Sequence, residues 1–89
     1  MRRTLYVFYC SANETLYGLT LNANGTNLPE LKSGTWIFKR RYLLAPTDPA
    51  FPSGVTPKEI LSAVDNTGFF VRDIKMRFSE WVGGYTVRV

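Results

Sequence analysis

The clearest local signal in the chain is a helix start. Thr56-Pro57-Lys58-Glu59 puts a capping hydroxyl before a proline at the first helical position, with a glutamate placed to complete a capping box. Ile60, Leu61 and Val64 then share one side of a helix, and Asn66 to Gly68 supplies the stop. An apolar stripe of this kind must be covered. No second helix of sufficient length is signalled to cover it, so it must lie on a sheet.

The remaining segments read as that sheet. Leu5, Val7 and Tyr9 alternate with Tyr6, Phe8 and Cys10, so both faces of the first strand are apolar. That pattern fits a strand covered on both sides and central in its sheet. Ser11-Ala12-Asn13-Glu14 is a polar link of hairpin length. It leads to a second, antiparallel strand in which Tyr17, Leu19 and Leu21 point one way and Gly18, Thr20 and Asn22 the other. Residues 22–34 hold Asn24-Gly25, Pro29 and Ser33-Gly34 and read as loop.

Thr35 to Leu44 predicts a third strand. Strict alternation puts Trp36, Phe38, Arg40, Tyr42 and Leu44 on one face, with Ile37, Lys39, Arg41 and Leu43 on the other. Residues 45–55 contain Pro46, Pro49, Pro52 and Gly54 and form a stiff connection. After the helix, Phe70, Ile74, Met76 and Phe78 alternate with Val71, Asp73, Lys75 and Arg77, predicting a fourth strand. A helix through 70–82 is the competing reading of so short a stretch. Val82-Gly83-Gly84-Tyr85 is a hairpin signal, and Tyr85, Val87 and Val89 suit a last strand. The expected fold is α+β: a small, mostly antiparallel sheet of about five strands, in the order β-β-β-α-β-β, with one helix on one face.

Eighty-nine residues make one domain, residues 1–89, and are too few for two. No apolar run nears the ~20 residues of a membrane helix. The Met1-Arg2-Arg3 start followed by apolar residues lacks a small-x-small cleavage site and reads as strand rather than signal peptide. Cys10 is the one cysteine, which excludes an internal disulfide and a paired-cysteine metal site. A cytoplasmic protein is the expectation. Asn13-Glu14-Thr15 and Asn24-Gly25-Thr26 match the glycosylation pattern but read as turns.

The chain has no histidine, so it lacks the commonest general base and zinc ligand. Its seven carboxylates stand singly along the chain, and Glu59 already serves the helix cap. Gly83-Gly84 lacks the spacing of a phosphate loop. Cys10, at the end of an apolar strand, reads as core rather than nucleophile. No catalytic residue, cofactor or metal ligand is expected.

Charge is uneven. Residues 1–45 carry six basic side chains against two acidic, whereas residues 46–89 carry five of each. The net +4 therefore belongs to the first half and favours an acidic partner there. Two binding classes follow. The first is a non-catalytic accessory domain, of the kind mobile genetic elements carry, that binds an unknown protein or itself. Its expected anchor is Phe51, presented between Pro49 and Pro52 on the stiffened loop, although the same ring could fold back onto its own core. A last strand ending in Val87-Arg88-Val89 offers an edge for pairing. The alternative is nucleic-acid binding by Arg2, Arg3, Lys39, Arg40 and Arg41 with nearby rings. Arg72, Lys75 and Arg77 would extend that stripe if the third and fourth strands were neighbours.

Overall fold

The computed structural model describes residues 2–51 and 54–77. The doubly apolar first strand, β1 (Arg3–Cys10), lies between two others. Ser11 and Ala12 turn it into β2 (Asn13–Thr20), which pairs with it antiparallel, Val7 opposite Leu19 and Tyr9 opposite Tyr17. On its other side runs β3 (Trp36–Leu44), also antiparallel. After helix α1 (Pro57–Thr67), β4 (Phe69–Asp73) returns alongside β2. The sheet order is β3-β1-β2-β4.

The α+β class and antiparallel sheet are thus as expected, but the described sheet has four strands, not about five. The anticipated last strand, with Val87-Arg88-Val89, lies outside the described residues, as does Phe78. Residues 69–73 are strand and not helix. β4 stops early because Asp73 turns the chain: its carboxylate accepts from the Lys75 N–H at 3.0 Å, and Lys75 takes a positive φ of 62°.

The helix forms as its capping residues dictate. Thr56 stays extended, its hydroxyl accepts from the Glu59 N–H at 3.2 Å, and the Glu59 carboxylate accepts from the Thr56 N–H at 3.2 Å. Gly68 ends the helix at φ 94°, donating to the Val64 carbonyl at 2.9 Å. Ile60, Leu61 and Val64 are buried against Leu5, Val7, Tyr17, Leu19, Leu44 and Phe70. This is the main core.

Phe51 and Val55, from the connection that precedes the helix, join that core. Phe51 is only 6% exposed and meets the Tyr42 ring edge-on at 5.9 Å. Its N–H donates to the Val55 carbonyl at 2.9 Å.

The second sheet face is covered differently, by the loop 21–35. Leu28 and the Trp36 ring sit over Gly18, where an added Cβ would stand 3.0 and 3.1 Å from them. Gly25, at φ 66°, lies against the Phe8 ring. Thr20, fully buried, donates to Asn27 Oδ1 at 2.7 Å, and Asn27 Nδ2 donates to the Gly68 carbonyl at 2.8 Å. The loop is therefore pinned to the end of α1. No helix among the described residues is long and apolar enough to cross a membrane.

Candidate binding surface

Strand β3 departs from simple alternation. Val7 opposes Arg40, but Phe8 opposes Phe38, which leaves Lys39 as an extra residue in the ladder. A bulge of this kind reverses the facing of every residue beyond it. Opposed residues of an antiparallel pair share a face, so the cross-strand pairs assign each side chain.

Ile37 (opposite Tyr9), Arg40 (opposite Val7) and Tyr42 (opposite Leu5) turn to the helix side. Trp36 (opposite Cys10), Phe38 (opposite Phe8) and Arg41 (opposite Tyr6) turn to the other. The expected shared face of Trp36, Phe38 and Tyr42 is therefore split, and Arg41 joins Phe38 rather than Ile37. The physical reason is the one-residue insertion, which no alternation pattern can register.

The three rings end in different places. Tyr42 packs inward on Phe51. Trp36 is half-buried over Gly18, its indole N–H donating to the Pro29 carbonyl at 2.8 Å. Phe38 alone is largely bare: it is 51% exposed, with its ring edge-on to Phe8 at 5.6 Å and tilted to Tyr6 at 6.5 Å. Ile37 is 38% exposed on the opposite side of the strand. The edge strand thus shows one large apolar side chain on each face.

Two cations elsewhere in the fold are paired. Arg3 is ion-paired with Asp65 of α1, and Arg72 pairs with Glu59 at 3.2 Å while lying 4.9 Å from the Phe70 ring centre. Lys39, Arg40 and Arg41 make no ion pair with any described carboxylate. The Lys39 ammonium rests 5.9 Å from the Tyr9 ring centre, a weak cation–π contact. Arg40 is half-buried, and its Nε is buried without a hydrogen-bond partner. A buried donor left unpaired is costly, and this one belongs to a permanent cation.

Of the residues singled out from sequence, Lys39, Arg40 and Arg41 are brought together on β3, and Arg2 is exposed before β1. Arg3 is tied to the helix. Phe51, expected as an exposed anchor, takes the other course and lies in the core. Pro49 is exposed, and Pro52 lies outside the described residues. Arg72 of β4 does not join the basic residues of β3, because β1 and β2 stand between the two strands. That separation is roughly 14 Å at ordinary strand spacing. Cys10 is buried, its thiol donating to the Ser33 carbonyl at 3.3 Å.

Sequence reading missed Phe38 and Ile37 as surface residues. The available signal was the run Lys39-Arg40-Arg41 itself: three cations in succession force one onto any apolar face the strand has.

Two carboxylates are held in their charged form. The Thr56 backbone N–H lowers the Glu59 pKa, helped by Arg72; hydrogen bonds from Thr15, Asn13 and the Lys75 N–H lower that of Asp73. Both stabilise turns or caps. Among the described residues, no three His, Cys, Asp or Glu side chains cluster as a metal site would require.

The chain matches no family model, no curated protein and no solved structure.

Proposed function

We propose that this is a non-catalytic domain that acts by binding another protein, and that the outer strand β3 forms its contact surface. The observation that carries this reading is the composition of that strand's two faces. Phe38 stands out to solvent on the face it shares with Arg41, Ile37 on the face it shares with the half-buried Arg40, and Lys39, Arg40 and Arg41 are not paired with any described carboxylate. Exposed rings and aliphatics next to arginine are the usual anchors of protein interfaces. The cations favour an acidic partner. With Phe51 committed to the core, the anchor is assigned to Phe38.

A second reading is single-stranded nucleic acid, favoured by Tyr6, Phe38 and Arg41 sharing one face. It has one bare ring rather than a stacking series, since Trp36 and Tyr42 are occupied elsewhere. For that reason it ranks second.

The test is affinity capture on the immobilised protein from nuclease-treated extract of the source cell, with Phe38→Ser as control. Retention of a defined protein by wild type, its loss with Phe38→Ser, and survival of binding at 200 mM salt are expected. Retention of nucleic acid alone in untreated extract, falling steeply between about 50 and 200 mM salt, would transfer the function to the second reading.

A further inference from the structure

We infer that β3 accepts an added strand: an extended, acidic segment of the partner pairs with the edge of β3 that no described strand occupies and places a carboxylate on Arg40. This rests on the protein-binding reading and specifies its mode.

β3 is nine residues long and, among the described residues, pairs on one side only, with β1. In an antiparallel ladder, alternate backbone groups of an edge strand point outward. Beyond the sheet, no described backbone group bonds to the backbone of Trp36–Arg41. The edge is therefore a hydrogen-bonding template. Affinity in strand addition comes from such main-chain bonds, and selectivity from the alternating side chains.

Here the side chains define the occupant. Ile37 and Phe38 offer apolar contact on opposite faces, and Arg41 adds a cation beside Phe38. The bulge turns Arg40 to the helix side, where its Nε is buried without a partner. A carboxylate from an added strand would meet that guanidinium with a charge-assisted bond. Unselective pairing is discouraged by the devices that guard natural edges, a lysine and a bulge, and both sit at position 39. A second copy is the wrong occupant. Antiparallel pairing of two β3 strands about their centres would set Lys39-Arg40-Arg41 against itself, and like charges opposite one another are destabilising.

The experiment uses the full chain and a blocked peptide of four Glu-Val repeats, which can offer its carboxylates to either face by a one-residue slip. Controls are the Lys-Val peptide, the Glu-Val peptide with alternate backbone nitrogens methylated, and an eight-nucleotide oligo-dT. Amide exchange of β3 and titration affinity are measured.

The expected result is exchange slowed at least about tenfold in β3 by the acidic peptide only, with affinity falling roughly tenfold in Arg40→Gln. Equal binding of the methylated peptide without β3 protection overturns strand addition but leaves protein binding standing. Binding of oligo-dT in place of the peptide overturns both. No binding of either probe overturns the inference, and the capture experiment then judges the protein reading alone. Protection of β3 by raised protein concentration would assign the edge to a second copy and overturn the inference too.

Discussion

Replacing Phe51 with alanine removes a ring that the structure places in the core, whereas replacing Phe38 removes one that is about half in water. The contrast is quantitative. Phe51 is 6% exposed and packs edge-on to Tyr42 at 5.9 Å, within a cluster that includes Val55 and Leu44. Deleting a buried phenylalanine side chain costs about 3–5 kcal/mol, through lost transfer free energy and the cavity left behind. A loop site can partly collapse, so about 3 kcal/mol is expected here. Phe38, at 51% exposed, retains roughly half of a buried ring's benefit, so about 1 kcal/mol is expected for Phe38→Ala. For a domain of this size, each kcal/mol moves Tm by roughly 4–8 °C. Phe51→Ala should therefore melt about 12–24 °C below wild type, and Phe38→Ala only about 4–8 °C below. Circular dichroism melts and urea unfolding at fixed protein concentration measure both. If Phe51→Ala melts within a few degrees of wild type, or Phe38→Ala is the more damaging, the facing assigned to these rings is wrong. The proposed contact surface then falls with it.

Gly25→Ala should destabilise by about 1–3 kcal/mol, because a side chain at φ 66° is strained and its Cβ would stand 2.8 Å from the Phe8 ring; denaturant midpoints report this. Thr56→Ala removes the hydroxyl that accepts from Glu59 N–H and should cost about 1 kcal/mol, while Thr56→Ser should retain most of the stability. Asp73 is held below the usual carboxylate range by Thr15, Asn13 and the Lys75 N–H. Its folded pKa is thus below its unfolded one, so its contribution is present above about pH 4 and is lost as pH falls through the folded value. Asp73→Asn should flatten that part of the acid unfolding curve while lowering stability at pH 7, and an unchanged acid limb would sink the assignment.

Local chemistry decided the helix. The cap, the proline at the first position and the glycine stop all act within a turn of the backbone they satisfy, so Thr56 to Gly68 was readable residue by residue. β1 was readable for a related reason: apolar side chains on both faces demand cover on both, which places a strand at the centre of its sheet. Phe51 and Lys39 were different. A ring among prolines can turn outward or inward, and the outcome depends on whether Tyr42 and Val55 stand nearby to receive it, which is a matter of distant contacts. The bulge at Lys39 arises from matching β3 to β1 across 25 or more residues of intervening chain, and one extra residue reverses every side chain that follows. Composition and spacing report what each residue prefers. Pairing between remote segments chooses which cation turns to the helix side, and at β3 that choice is Arg40, whose Nε is buried without a hydrogen-bond partner.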